Sequence, residues 1–266
     1  MSLNITDRRR INGPQRSVEP VYTTTSPVDA FAAGGRMDGR ALDQVRPIFI
    51  KTGPLDAQSL SAAAPSGSAY YEQGKIRVSC AVYGPRQGRK SSNNARMGTF
   101  DCDFKYAPFS CSWKRSHVKT SDEKEIALML EQAVAPAIRL DAYPKASVDA
   151  FVTVIESDGK AATIAAAINC ISAALADAGI ELYDSVAACS MSLHSEQWVS
   201  DCSQIEENAS SCSLLVARMP SADEVTYLLQ HGKTTPEQTQ QAIQTCANDC
   251  TRVYAVICRY LQATLE

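Results

Sequence analysis

Residues 143–189 read YPKASVDAFVTVIESDGKAATIAAAINCISAALADAGIELYDSVAAC. Within them, VDAFVTVI (148–155) is apolar and rich in β-branched residues, a pattern typical of a buried strand. ATIAAAINCISAALADAG (162–179) predicts a helix of small residues that ends at Gly179, which acts as a left-handed C-cap. Because alanine occurs on nearly every side of this helix, we expect it to be buried against close neighbours. The stretch therefore predicts a strand, a tight turn, a central helix and a further strand.

Upstream of this unit, from Arg46 onward, short apolar runs are separated by turns. Two of the runs alternate with period two, at residues 76–82 and 100–106, which predicts antiparallel strands with one face exposed to water. Residues 56–66, DAQSLSAAAPS, are predicted to form a surface loop. The four runs are RPIFIK (46–51), GSAYYEQG (67–74), KIRVSCAVYGP (75–85) and MGTFDCDFKYAPF (97–109).

Two further helices have clear start signals. Thr120 and Glu123 form a capping box before an apolar stripe at helical spacing, and Pro136 should kink or tighten the last turn because it lacks a backbone donor. Thr235 as N-cap and Pro236 at the first helical position begin the last helix. The predicted strands between the helices are SVAACSMSLH (185–194), SCSLLVARMP (211–220) and EVTYLLQHG (224–232). This order predicts an α+β domain with helices packed on mixed β-sheets.

The composition is that of a folded chain. Its 266 residues are 45% hydrophobic and 21% charged, with a net charge of −3, which excludes a disordered acidic tail and a uniformly basic DNA-binding protein. Residues 1–33 lack helical or alternating periodicity, so we expect a flexible basic extension followed by a domain at 34–266. The sequence shows no uninterrupted apolar run of about 18 residues and no secretory signal, which predicts no membrane partner and a cytosolic or nuclear location.

The ten cysteines form no C-x-x-C pair, and only three histidines accompany them. Most of the cysteines lie in apolar runs, as Cys80 and Cys170 do, where a thiol behaves as a small buried hydrophobe. We therefore predict structural thiols, no metal site and no cofactor.

Positive charge is concentrated in one segment. Residues 75–119 contain ten lysines and arginines against two acidic residues, a net charge of +8, whereas residues 1–74 carry +1 and residues 120–266 carry −12. Such a basic block is typical of a surface that faces a polyanion. The alternative is a solvated face whose cations pair with the acidic C-terminal half. Trp113 and His117 add possible stacking surfaces for single-stranded RNA, and two basic loops are expected near one end of a sheet.

Catalytic motifs are weak in this sequence. The turn SDGK (157–160) precedes a helix N-terminus, which favours an anion, but Asp158 adds a negative charge and a plain turn is the simpler interpretation. Glu206 and Glu207 are adjacent, so their side chains should point apart, and we interpret them as surface charges. The sequence indicates no acid–base pair that includes His117, His194 or His231. We predict no catalytic residue and no metal ligand.

The sequence resembles the RNase PH family. RPIFIKTGPL and GSAYYEQGKIRVSCAVYGPR resemble the opening of that family, residues 143–189 resemble its central strand, turn, helix and next strand, and TPEQ (235–238) begins a similar final helix. RMDGR (36–40) fits the family's entry, and DRRRINGP (7–14) resembles the prefix of one eukaryotic exosome ring subunit. The resemblance covers residues 36–262 and implies an RNase PH-like fold, also described as ribosomal protein S5 domain 2-like.

Active members of that family carry out phosphorolysis, in which inorganic phosphate attacks the last RNA linkage. The resemblance implies a phosphate loop of glycine, serine or threonine, and arginine, where this chain has Gly159, Lys160 and Ala161. The family's essential aspartates correspond to Glu207 and Ser213. Active members also begin their long helix with an arginine, at a position near 123–124 of this chain. These departures imply a lost active site, and the alternative is an active phosphate-dependent 3'-5' exoribonuclease.

The resemblance therefore implies a non-catalytic subunit of the RNA exosome core ring, located in the nucleus, the nucleolus and the cytoplasm. Its expected partners are RNase PH-like subunits in a hexameric ring, an S1/KH cap protein and single-stranded RNA, which the ring threads to a separate nuclease. A lone RNA-binding module outside any ring is a third possibility. The predicted RNA-binding residues are Arg86, Arg89, Lys90, Arg96, Lys114 and Arg115, together with Arg8, Arg9 and Arg10 in the extension.

Overall fold

A computed structural model describes residues 16, 36, 38–55, 64–87, 97–194 and 197–265. The predicted extension (1–33), apart from Arg16, and most of the predicted loop at 56–66 lie outside these residues. The predicted α+β architecture is confirmed, and the described residues form two sheets and four α-helices.

The first sheet has five strands in the order β1-β2-β3-β5-β4. All neighbouring strands are antiparallel except β4 and β5, which are parallel, so the expectation of an antiparallel strand is correct for β3 and wrong for β4. The chain between β4 and β5 contains a helix, the kind of long crossover that two parallel strands require. The strands are β1 (Ile48–Thr52), β2 (Gly67–Gln73), β3 (Ile76–Gln87), β4 (Thr99–Tyr106) and β5 (Ala146–Glu156).

The second sheet is antiparallel, in the order β7-β6-β8-β9. Its three longer strands were predicted, whereas the four-residue strand β7 was not. The short helix that follows β7 was also missed. The strands are β6 (Ala187–His194), β7 (Gln197–Ser200), β8 (Cys212–Met219) and β9 (Glu224–Gly232), and the helices are α1 (Ser121–Val134), α2 (Lys160–Asp177), α3 (Gln204–Ala209) and α4 (Pro236–Leu265).

Helix α2 lies between the two sheets and contacts β2 and β3 on one side and β6 and β8 on the other. Fourteen of its residues are buried, and its alanines allow this close approach. Asn169 joins helix to sheet, because its amide donates to the Ala188 carbonyl (3.0 Å) and accepts from the Ala188 N–H (2.8 Å). By length and composition α2 could cross a membrane, but most of it is buried inside the protein, as is usual for a core helix.

Helix α4 covers the second sheet and contacts β6 and β8. The Cys246 thiol lies 3.4 Å from the Cys189 carbonyl and the Cys250 thiol lies 3.6 Å from the Val216 carbonyl. Every residue of β6 is buried, since α2 and α4 both pack on this strand. Burial raises the pKa of the Cys80 and Cys170 thiols, which behave here as core side chains.

The predicted cap of α1 is present. Glu123 and Thr120 bond each other's backbone N–H, and Glu123 Oε1 also accepts from the Tyr106 N–H of β4 (3.1 Å). Pro136 lies in a 3-10 turn at Ala135–Ala137, so the last turn is tightened as predicted.

Candidate active-site cleft

A cleft of about 310 Å³ opens where the N-terminus of α2 meets α3 and the ends of β8 and β9. The turn that precedes α2, residues 157–159, brings the helix N-terminus to its wall. The cleft is lined by Lys160, Gln204, Glu207, Asn208, Ser210, Ser211, Cys212, Ser213 and His231. Among these residues Glu207 is the only carboxylate.

The Glu207 carboxylate lies directly on the N-terminus of α2. Its Oε2 accepts a hydrogen bond from the Lys160 N–H (2.6 Å), and its Oε1 accepts one from the Ala161 N–H (3.1 Å). The N-cap residue Gly159 has no side chain to supply such a bond. A helix N-terminus attracts an anion because its first N–H groups lack partners and the helix dipole is positive there. In this chain an internal carboxylate occupies that position.

Gly159 permits this close approach. Its φ is 96°, in the left-handed region, and a Cβ added there would lie 2.6 Å from Glu207 Oε2. A larger residue would therefore be strained in its backbone and would collide with the carboxylate.

Asp158 provides a second link between the same two segments. Its Oδ1 accepts from the Gln204 N–H (2.9 Å), and its Oδ2 accepts from Arg46 Nη1 (2.7 Å). The sequence suggested that Asp158 would weaken an anion site at the start of α2. In the structure its carboxylate instead bonds Gln204 and Arg46 and makes no bond to the α2 amides. Together, Asp158 and Glu207 hold α3 against the beginning of α2.

Arg46 and Asp201 form a buried ion pair beside the cleft. Arg46 Nη2 and Nε donate to Asp201 Oδ1 (2.6 Å) and Oδ2 (2.9 Å), and Gln73 Nε2 also donates to Oδ2 (2.9 Å). Burial opposes ionisation of Asp201, but the hydrogen bonds and charge of Arg46 outweigh it, so the pKa of Asp201 lies below its ordinary value.

Glu206 is buried, which contradicts its interpretation as a surface charge. Arg36 Nη2 and Nε donate to its Oε2 (2.7 Å) and Oε1 (3.1 Å), and the two side chains are almost fully inaccessible. Burial opposes its ionisation, but Arg36 and the Ser203 N–H lower the pKa of Glu206 overall. The predicted divergence of Glu206 and Glu207 is confirmed, since one faces Arg36 and the other faces α2.

The sequence contains a signal for this arrangement that is not among the predictions above. Ser203 and Glu206 form a capping box, with the Ser203 hydroxyl accepting from the Glu206 N–H and the Glu206 carboxylate accepting from the Ser203 N–H. The S-x-x-E spacing of a helix start is visible at 203–206. This spacing predicts the start of α3. In such a capping box the Glu206 carboxylate bends back to the Ser203 N–H and so points away from Glu207. By contrast, Arg36 lies 170 residues before its partner Glu206, and Arg46 lies 155 residues before its partner Asp201.

The residues of the cleft do not fit a divalent metal held between two carboxylates. Both oxygens of Glu207 accept from backbone amides, and the second position that the family resemblance implies is Ser213, which offers a hydroxyl. Within the described part of the chain, no group of three or more histidine, cysteine, aspartate or glutamate side chains is arranged to hold a metal ion. No metal-dependent step is assigned to this cleft.

The three histidines considered in the sequence analysis lie in different parts of the structure. His231 is exposed and lines the cleft, whereas His117 is exposed on the segment that follows β4. His194 is buried, with Nε2 3.9 Å from the Cys202 thiol, and burial lowers its pKa. These positions bring one of the three histidines to the cleft.

The basic side chains do not converge as expected, because Arg86 lies at the opposite end of the first sheet from Lys114 and Arg115. Arg86 pairs with Ser147 at the start of β5, whereas Tyr106, the residue before the 107–119 segment, pairs with Val154. Seven residues along a strand span about 23 Å. The expectation that Arg86 lies near the same end of a sheet as Lys114 and Arg115 is therefore wrong.

The 107–119 segment lies close to the beginning of α2, since the Ser110 carbonyl accepts from the Ser157 N–H (2.9 Å). Lys114 is exposed, and the guanidinium carbon of Arg115 lies 4.8 Å from the centroid of the Tyr106 ring. Trp113 is 58% exposed, and its backbone forms an antiparallel bridge with Arg16. This segment presents cations and an exposed aromatic ring on the side of the sheet where α2 begins.

Some cations of the basic block do pair with acidic residues. Arg77 contacts Glu156 (3.2 Å), as the solvated-face alternative requires, whereas Lys119 contacts Asp103 (2.5 Å) within the basic block itself. Arg86 instead lies over the Tyr83 ring, 4.6 Å from its centroid. The remaining predicted RNA-binding residues, Arg8, Arg9, Arg10, Arg89, Lys90 and Arg96, lie outside the described residues.

Comparison with known proteins agrees with this architecture. Residues 44–181 match the RNase PH family model, described as the 3' exoribonuclease family, domain 1. The chain is 33% identical to exosome complex component mtr3 of Schizosaccharomyces pombe, with 95% of each chain covered, and 34% identical to exosome complex component MTR3 of Homo sapiens, with 94% of this chain and 93% of the human protein covered.

A solved structure, that of rice (Oryza sativa) Rrp46, has the same fold. It superposes with a TM-score of 0.75 and 24% sequence identity, over 85% of this chain and all of the rice chain. The central strand, turn and helix quoted from the sequence lie mostly within the segment that matches the family model. The chain belongs to the RNase PH family.

Proposed function

We propose that this chain is a non-catalytic structural subunit of the RNA exosome core ring, in the position of messenger-RNA transport regulator three (MTR3). Relatives named exosome complex component MTR3 or mtr3 align with it over nearly their whole lengths, which supports this assignment. As such a subunit it would support 3'-5' RNA processing and degradation by threading single-stranded RNA to a separate nuclease.

The observation that carries the non-catalytic assignment is the position of Glu207. Phosphorolysis requires inorganic phosphate beside the scissile linkage, and the family resemblance places its loop at Gly159, Lys160 and Ala161. The two amides that begin α2 already bond the Glu207 carboxylate. A phosphate at this point would have to displace Glu207 or lie next to a like charge, which is unfavourable in either case.

The side chains of the cleft support the same proposal. Lys160 and Ala161 replace the hydroxyl residue and the arginine of the family's phosphate loop, and Ser213 replaces one of its acidic residues. Removal of one oriented charge-stabilising group from an active site typically costs about 3–4 kcal/mol of transition-state stabilisation. Several such losses in one cleft would leave negligible phosphorolysis.

Two separate basic surfaces are proposed for RNA. One is the 107–119 segment, where Lys114 and Arg115 would bind phosphates and Trp113 would stack on a base. The other is the region of Arg86. The remaining proposed RNA-binding residues are Arg89, Lys90, Arg96, Arg8, Arg9 and Arg10.

The proposed assembly has six RNase PH-like subunits in a ring, with an S1/KH cap protein on one face. It would act in the nucleus and nucleolus and also in the cytoplasm. Within the chain, residues 1–33 would be a flexible basic extension and residues 34–266 the ring-forming domain. No cofactor is proposed.

A phosphorolysis assay tests the function. The full chain, alone and assembled with its RNase PH-like partners, is incubated with single-stranded RNA, inorganic phosphate and Mg²⁺, and nucleoside diphosphates are measured. Partners without this chain serve as the control for activity that they contribute themselves. We expect no release attributable to this chain. Release that survives purification and disappears in Glu207→Ala would identify an active phosphorolytic enzyme and overturn the proposal.

A further inference from the structure

The turn between β8 and β9, residues 220–223, is held to α4 through one carboxylate. The Ser221 N–H donates to Asp184 Oδ2 (2.8 Å), and the Ser221 hydroxyl donates to Asp184 Oδ1 (3.2 Å). The Tyr254 hydroxyl of α4 donates to the same Oδ1 (3.0 Å) and lies 2.9 Å from the Ser221 hydroxyl oxygen. Asp184, which lies just before β6, therefore joins the β8–β9 turn to the helix.

The Tyr254 hydroxyl keeps the proton that this arrangement needs. The hydrogen bond with Ser221 lowers the pKa of this hydroxyl, but burial and its bonds with Cys258 and Asp184 outweigh that effect and raise the pKa to about 12. Asp184 also accepts from the Ser185 N–H (2.8 Å), so donors surround its carboxylate. A second negative charge at this point would have to break some of these bonds.

Ser221 is exposed although it takes part in this group of bonds, and the next three residues are exposed as well. All three hydrogen bonds of Ser221 lie at the surface of the protein. Surface hydrogen bonds in a turn open at a much lower free energy than those of the core. Exposed turns are also the segments that other enzymes reach most readily. The Ser221 hydroxyl is therefore accessible to a modifying enzyme.

Acidic residues follow Ser221. The sequence SADE (221–224) places Asp223 and Glu224 two and three residues after the serine, and both are exposed. Asp223 pairs with Arg218, but its side chain remains 87% exposed. A protein kinase with a basic substrate groove selects serines of this kind, because its lysines and arginines bind the carboxylates that follow. Ser211 is also exposed, but no acidic residue occurs in the three positions after it.

We propose that Ser221 is a phosphorylation site for an acidophilic protein kinase, and that its phosphorylation releases the β8–β9 turn from Asp184 and α4. In this step the Ser221 Oγ attacks the γ-phosphorus of ATP, an Oγ–P bond forms, the bond to the β,γ-bridging oxygen breaks, and ADP leaves. The hydroxyl proton passes to a carboxylate of the kinase. The inference is independent of the proposed ring function, because it uses no contact with another subunit.

Repulsion is the physical reason for the release. A phosphate on Ser221 would carry a charge of about −1.5 to −2. In the unmodified chain the Ser221 oxygen lies 3.2 Å from an oxygen of Asp184. Like charges this close repel, so the bonds between Ser221 and Asp184 would not persist. Tyr254 would keep its own bond to Asp184, and the turn, rather than α4, would therefore move.

Phosphorylation in vitro tests the site. The full chain is incubated with casein kinase II, ATP and Mg²⁺, and the modified residues are located by tandem mass spectrometry. We expect phosphate on Ser221 and none on Ser211. Glu224→Gln keeps the serine but removes one of the acidic residues, and it should slow modification of Ser221 about tenfold. A chain without phosphate on Ser221, or a Glu224→Gln variant that is modified as fast as wild type, would overturn the proposal.

Hydrogen exchange tests the release of the turn. The phosphorylated and unmodified chains are compared, and Ser221→Ala is the matched variant that loses the hydroxyl but keeps the backbone N–H beside Asp184. We expect the amides of 221–223 to exchange about tenfold faster after phosphorylation, and less than about threefold faster in Ser221→Ala. If phosphorylation changes this exchange no more than Ser221→Ala does, the added charge does not release the turn and the inference fails.

Discussion

Removal of the Glu207 carboxylate tests directly whether this side chain acts as the anion that stabilises the N-terminus of α2. Glu207→Ala leaves the Lys160 and Ala161 N–H groups without their charged acceptor. Loss of an N-terminal cap costs about 0.5–2 kcal/mol, and loss of the charge–dipole interaction about 0.3–1 kcal/mol. Because Glu207 is half-buried, we expect a total near 1–2 kcal/mol for Glu207→Ala and about 0.5–1 kcal/mol for Glu207→Gln, which keeps the shape without the charge.

Thermal and denaturant unfolding measure this loss. For a chain of this size, 1 kcal/mol corresponds to about 2–4 °C in Tm. Asn208→Ala, at the next residue of the same short helix, is the matched control, since Asn208 is exposed and lines the same cleft. It should change stability by less than about 0.5 kcal/mol.

Inorganic phosphate supplies the second half of this test. In Glu207→Ala the two amides are free, so phosphate should stabilise the variant by about 1.4 kcal/mol at ten times its dissociation constant. The wild-type chain should show no such shift at matched ionic strength. Equal stabilisation of both proteins by phosphate, or equal stability of Glu207→Ala and Asn208→Ala, would refute the idea that Glu207 occupies the anion position.

Three further outcomes are expected. Gly159→Ala should lower stability by about 2 kcal/mol or more, measured by denaturant unfolding, because its backbone has positive φ and its Cβ meets a carboxylate oxygen. Asp201→Asn should cost about 3 kcal/mol or more by leaving a buried arginine incompletely paired. The folded-state pKa of Asp201 is depressed. The stabilisation that its carboxylate supplies is therefore complete above the unfolded-state pKa of about 3.9 and is lost as the pH falls through the folded-state pKa. The stabilities of wild type and variant should therefore converge in acid. Lys114→Glu/Arg115→Glu should reduce RNA crosslinking in the assembled particle, whereas Arg77→Glu, whose cation is already paired, should not.

The fold was largely predictable because local patterns and tertiary packing agree. The alanine-rich helix at 160–177 is buried between two sheets, as its uniformly small surface indicated. The capping box at Thr120 begins α1 both in the sequence and in the structure, and Pro136 tightens the chain into a 3-10 turn directly after Val134. The parallel pairing of β4 with β5 was not predictable from alternation, since period two is common to both strand directions.

The candidate site was less predictable because its contacts join distant segments. Glu207 was correctly separated from Glu206 by geometry, but its partner amides lie 46 and 47 residues earlier in the chain. Arg46 and Asp201 are both ordinary charged residues in the sequence, and only packing brings them into one buried network. The distance between the two basic surfaces likewise depends on strand register, which fixes Arg86 at one end of β5 and Tyr106 near the other.

Local sequence patterns are sufficient to predict most of the elements, the α+β class and the buried central helix, because periodicity, caps and residue identity are local properties. Only the packing of distant segments puts a carboxylate of this chain on the amides at the start of α2 and buries Glu206 against Arg36. These features depend on which distant backbone groups meet, and no local pattern records that.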